Sequence, residues 1–127
     1  MSTFFTDRKK LPSMNMSHFE HLPEFTKELE ALRKKYRSLL EDLTRFESLV
    51  TISPTGVGKN FTITHSSPEV TIIKARLACQ SLCERSMRII YAYHGKTIEF
   101  VHIEIYFKGD KDNEDRGRIK RYIKSMR

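Results

Sequence analysis

Three closely spaced strand-forming segments, preceded by two stretches of helical periodicity and followed by a basic one, predict an α+β domain. Its helices would pack on a small antiparallel sheet of about four strands. The strands are the strongest signal. Residues 70–77, 86–93 and 97–108 are rich in β-branched and aromatic side chains and are separated by break signals, as expected of consecutive antiparallel strands. The helical signal is apolar spacing. Phe25, Leu29, Leu32 and Tyr36 recur in one segment, and Leu39, Leu40, Leu43, Phe46, Leu49 and Val50 in the next. The short connection between them predicts an antiparallel helical hairpin.

The first 16 residues hold Pro12 and no periodicity, so they read as a mobile N-terminal extension before a single domain at 17–127. Residues 17–22 alternate briefly and predict an edge strand. Pro23 can open a helix without losing a hydrogen bond, and this first helix is expected to end near Arg37. Ser38 and Glu41 have capping-box spacing for the second helix. Between 51 and 68 the apolar period fails, and Pro54, Gly56, Gly58 and Pro68 punctuate a loop in which 61–63 form a minor strand. Gly56-Val-Gly58-Lys59 lacks both the leading glycine and the trailing Ser or Thr of a phosphate-binding loop, so it reads as plain loop. The acidic stretch 110–115 lacks the glycine and terminal glutamate of a calcium loop and predicts instead a turn with an N-cap at Asp112 or Asn113. A last helix at 114–126 would pack through Ile119, Tyr122, Ile123 and Met126, with Arg116, Arg118, Lys120, Arg121, Lys124 and Arg127 covering the rest.

Alternation along the strands sorts the chemistry. Ile73, Ala75 and Leu77 point one way and Lys74 and Arg76 the other. Arg88 alternates with Ile89, and His102, Glu104 and Tyr106 alternate with Ile103, Ile105 and Phe107. One face therefore reads as core and the other as a shallow cationic site suited to a phosphodiester. Composition agrees, because 23 Lys and Arg against 16 Asp and Glu give a formal charge of +7, which favours an anionic partner such as nucleic acid or an acidic protein. Cys79 and Cys83 have no further cysteine or nearby histidine to complete a site, so neither a metal nor another cofactor is expected. No stretch approaches a membrane span and the N-terminus has no apolar run of signal-peptide length, so a cytoplasmic protein without membrane contact is expected.

The order of these elements, and three local sequences, resemble the RelE/ParE superfamily of bacterial toxins. Leu22-Pro23-Glu24-Phe25 through Tyr36 is similar to that family's opening strand-to-helix junction, Met87-Arg88-Ile89-Ile90-Tyr91 to its central strand, and Ile103 through Lys111 to its last strand and turn. The resemblance implies a toxin that cuts messenger RNA on the ribosome without a metal and is silenced by an antitoxin protein. It also assigns roles. Lys74, Arg76 and Arg88 would bind the phosphate and stabilise developing charge, and Lys108, Lys111, Arg116, Arg118, Lys120 and Arg121 would extend the RNA-binding surface. The terminal helix has no early tyrosine, reading Asn113-Glu-Asp-Arg116-Gly-Arg118, so proton transfer would fall to Tyr106 and His102, with Glu104 behind them. Two alternatives share the fold: a gyrase-inhibiting toxin acting by protein contact, and a non-catalytic RNA-binding member.

Overall fold

A computed structural model describes residues 18–82 and 86–126; the expected extension at 1–16 lies outside these residues, as do Cys83 and Arg127. In chain order the elements are β1 (His18–His21), α1 (Pro23–Lys35), α2 (Leu39–Ile52), β2 (Phe61–Ser66), β3 (Thr71–Ala78), a 3-10 turn (Gln80–Leu82), β4 (Ser86–His94), β5 (Glu99–Phe107) and α3 (Arg116–Ser125). The five strands form one sheet in the order β1-β5-β4-β3-β2. The class is α+β, but the sheet is mixed. β1 leads into a helix instead of a hairpin and joins the far side of β5 in parallel, while β2 through β5 are antiparallel. The minor strand expected at 61–63 extends to Ser66 and forms the opposite edge.

Each helix has a local cause. Pro23 opens α1, and Arg33, Lys34 and Lys35 crowd its last turn where the helix dipole favours cations. Phe25 and Leu29 face inward, as do Leu39, Leu43, Phe46 and Val50 of α2. Leu40 and Leu49 are instead about half exposed, because they flank that stripe by one position at 100° per residue. The inward residues of both helices pack on Ile73, Ala75, Leu77, Ile89 and Ile105 in the larger core. A second core lies on the other face, so neither face is bare. There Ile119, with Tyr122, Ile123 and Met126 beside it, covers Val70, Ile72, Ile90, Ala92, Val101 and Ile103. Tyr122 also meets His94 at 2.6 Å, and burial pushes its phenol up to about 12. The cap of α3 is Asp115, whose carboxylate accepts from the Arg118 N–H, and not the earlier Asp112 or Asn113.

The start of α2 departs from the sequence reading. Ser38 does precede α2, but its hydroxyl makes no capping bond. It donates to Asp42 and accepts from the Ser81 N–H, tying the 3-10 turn to the start of the helix. The turn after β4 places its left-handed residue at Ile98, φ 55°, and not at Gly95, leaving a β-branched side chain strained and exposed. In the loop after α2 the left-handed φ of 74° at Gly56 is one constraint and space is another, since a Cβ there would lie 2.1 Å from the Phe61 ring. Tyr91 anchors the same loop through a 2.7 Å bond to the Pro54 carbonyl.

β5 contains the irregularity that matters most. His102 stands opposite Tyr91 and Glu104 opposite Ile90, which leaves Ile103 as one extra residue in the ladder. Such a bulge reverses the parity of side chains on either side of it. Val101 and Ile103 join the α3 core whereas Ile105 and Phe107 join the α1/α2 core. Beyond this point β1 no longer covers the edge of β5, because its last partner is His102. Glu28 and Arg118 close the gap. The Glu28 carboxylate accepts from the Ile105 N–H, Arg118 donates to the Ile103 carbonyl, and the two side chains pair bidentately at 3.0 and 2.8 Å.

Asp42 is nearly fully buried. Burial pushes its carboxyl up, but bonds from Ser38, Cys79, Arg45 and the Gln80 N–H outweigh that, so it titrates below the usual aspartate range. A depressed native value means that the contribution to stability is complete above about pH 4 and fades as pH falls through the lower native value. Asp42→Asn is therefore expected to destabilise the fold by about 1.5 to 3 kcal/mol at pH 7. In melts recorded from pH 7 down to pH 3, its gap from the parent should narrow below about pH 4.

Candidate functional site

The second face of the sheet divides between the α3 core and an open cationic groove of about 310 Å³. Lys59, Asn60, Thr62, Thr64, Lys74, Arg76, Arg88, Lys108 and Glu114 supply its polar lining. The strand register explains why the cations converge. Arg76 faces Arg88 directly across β3 and β4, and Arg88 faces Tyr106 across β4 and β5, so one row reads Arg76, Arg88, Tyr106. Lys74 lies in the next row, opposite Ile90 and, beyond it, Glu104.

Two arginines directly opposite one another repel, and antiparallel sheets normally avoid such pairs. Among the described residues no acid bridges Arg76, Arg88, Lys108 or Lys59. Among the described residues Arg88 donates only to Ser86, at 3.0 Å to the hydroxyl and 3.4 Å to the carbonyl. Burial lowers its pKa and the Arg76 charge lowers it further. Such an array is stabilised by bringing in an anion. Lys74 is different, since Glu114 binds it at 2.9 Å. That bond raises the lysine despite its burial, and for Glu114 burial pushes upward but the Lys74 bond and charge, a backbone hydrogen bond and the Arg116 charge together outweigh it, so both stay charged.

Tyr106 completes the row but lies beneath the surface. It is 5% exposed, Lys111 Nζ stands 5.3 Å above its ring, and Lys74 is the charged neighbour of its hydroxyl. Burial raises its pKa while the charge of Lys74 opposes the rise, so the phenol is protonated at neutral pH. This buried hydroxyl neighbours Lys74 and lies in the row of Arg76 and Arg88, where it can donate to an incoming anion.

The remaining sequence candidates separate. Arg116 and Lys120 are exposed and line a cleft between α3 and β2 that shares Thr64 and Glu114 with the groove, so they extend it. Arg121 is exposed but lines neither hollow. Lys111 is half exposed and its ammonium pairs with the fully buried Glu104, which also accepts from the Asp115 N–H at 2.7 Å. Glu104 therefore organises the turn into α3 instead of serving the groove. Arg118 is not a surface cation, because Glu28, the Ile103 carbonyl and Asp115 consume its guanidinium.

His102 is the main correction. The bulge at Ile103 turns it away from Tyr106, and it lies wholly buried on the α1/α2 face, stacked on Phe25 at 4.9 Å and bonded to Glu47 at 2.9 Å. It cannot share a substrate with Arg88. Lys59 and Glu114 were not singled out from sequence. Lys59 belongs to a glycine loop whose position relative to the sheet has no local signal, and the Lys74–Glu114 pair spans 40 positions. Neither a scan of protein-family models nor a search of curated proteins returns a match for this chain. None of the described helices is long and apolar enough to cross a membrane.

Proposed function

We propose that the chain is a RelE-like toxin, a metal-independent endoribonuclease that cuts messenger RNA on the ribosome in the cytoplasm and is silenced by an acidic antitoxin protein. The observation that carries this reading is the facing pair Arg76 and Arg88 in an open groove, unneutralised and joined by Lys59, Lys74 and Lys108. The order of elements supports it too. A strand, two helices on one sheet face, an antiparallel run of strands and a basic terminal helix follow in the sequence characteristic of RelE/ParE proteins.

In this reading the RNA 2′-oxygen attacks the adjacent phosphorus as its proton passes to a base, the bond to the 5′-oxygen breaks, and that oxygen receives a proton. The products are a 2′,3′-cyclic phosphate and a 5′-hydroxyl. Arg76, Arg88 and Lys74 stabilise the extra negative charge on the phosphorane oxygens, which is commonly the largest contribution in such sites. Tyr106 is the acid. Glu114, the carboxylate on the groove wall, is the base, although its bond to Lys74 makes it a weak one. Poor tuning of both groups fits an enzyme that is slow on free RNA and relies on the ribosome to position the message.

The same ion pair and the depth of Tyr106 favour a second reading, RNA binding without cleavage. Primer extension on ribosome-bound message separates the two. Tyr106→Phe removes one hydroxyl whose neighbour Lys74 keeps its bond to Glu114, so it is expected to leave thermal stability nearly intact and lower cleavage by about a hundredfold or more. No cleavage by the parent protein, with RNA binding retained, selects the binding reading instead.

A further inference from the structure

On the sheet face opposite the groove, His21, Glu47 and His102 bring their candidate ligand atoms within 4.8 Å of one another. We propose that these three side chains bind one divalent transition-metal ion, with Zn2+ as the best match. The site is assembled by the fold and not by sequence proximity. β1 and β5 run parallel with His21 paired to His102, and parallel neighbours in register project to the same face, so the two rings stand side by side at 5.3 Å. α2 lies over that face and brings Glu47 to 2.9 Å from His102 Nε2.

The donor chemistry fits. Two imidazoles and one carboxylate suit zinc, whose ligand atoms lie about 3.4 Å apart on a tetrahedral ion with bonds near 2.1 Å. The present Glu47–His102 separation is close to that, and the exposed His21 side chain has room to swing inward. Phe19 and Phe25 stack on the His102 ring at 5.4 and 4.9 Å and fix its plane. His102 is not satisfied as an ordinary core residue. It is fully buried and its Nδ1 has no hydrogen-bond partner among the described residues, a state that buried polar groups rarely keep without a functional reason. Three protein ligands with one side open leave a fourth position for water. From sequence, the cysteines and the acidic stretch 110–115 were the metal candidates, and His21, Glu47 and His102 had no such role.

The test uses the full chain, freed of metal with a chelator and titrated with Zn2+ against a chromophoric competitor, alongside thermal melts. One equivalent should bind, and the melting midpoint should rise by about 10 °C at a hundredfold excess over Kd. His21→Ala alters an exposed side chain and is expected to keep the fold, yet to weaken binding by about a hundredfold or more and to cancel the thermal shift. Glu47→Gln should do the same, while His65→Gln should change neither. Absence of saturable one-to-one binding by the parent, or retention of its affinity in both His21→Ala and Glu47→Gln, would overturn the proposal. The site shares no residue with the groove, so message cleavage does not bear on this outcome.

Discussion

Arg88→Ala is expected to lower the rate of message cleavage by about 10² to 10³ while leaving the melting temperature almost unchanged. Both halves follow from its surroundings. Among the described residues the guanidinium donates only to Ser86 two residues away, so its removal strands no distant buried partner there. It also faces Arg76 across the ladder, and deleting one of two repelling charges offsets some of the packing lost with the side chain. A transition state that gathers negative charge on phosphate oxygens would lose its central donor. Primer extension gives the first quantity and a thermal melt the second. Full cleavage by the variant would remove the groove from the active site, and an unfolded variant would make Arg88 a structural residue.

Arg118→Ala should do the opposite, costing about 3 to 5 kcal/mol of folding free energy. Truncation leaves Glu28 with its carboxylate unpaired beside the edge of β5 and frees the Ile103 carbonyl. Arg118→Lys should recover only part of the loss, since an ammonium cannot reproduce the two-pronged contact with Glu28. Arg121→Ala, an exposed neighbour on the same helix, is expected to stay within about 0.5 kcal/mol of the parent. Denaturant titration of the three variants checks the ranking. Equal small effects at Arg118 and Arg121 would mean that the pair with Glu28 contributes nothing to the fold.

What the sequence disclosed was whatever depends on local periodicity. The alternation of Lys74 and Arg76 with Ile73, Ala75 and Leu77 holds along β3, and the stripe through Ile119 and Tyr122 packs as its helical spacing requires. His102 escaped because alternation assumes an unbroken strand, and one extra residue at Ile103 changes the face of everything before it. Arg118 escaped for another reason. In a helix bearing many cations nothing marks the one that will meet an acid 90 positions away, and only the path of α1 past the end of β1 selects it. Ser38 shows that a correct spacing can be spent differently, because the hydroxyl prefers Asp42 and Ser81 once the 3-10 turn folds against it. The groove itself was largely visible, since the sequence named Lys74, Arg76, Arg88 and Lys108 but gave no hint that Lys59 and Glu114 would join them from loops.

The break in the ladder between Ile63 and His65 has a consequence for how this molecule lives in a crowded solution. β2 ends the sheet, and an unbroken terminal strand with a bare outer rim is a template on which another chain can add and begin to aggregate. Here the pairing with β3 runs from Phe61 to Ile63, skips Thr64, and resumes at His65, so the backbone bends before a long straight run can form. The threonines on this strand keep that rim wet as well. A strand that carries the half-exposed Ile63 is thereby made a poorer template for intermolecular sheets.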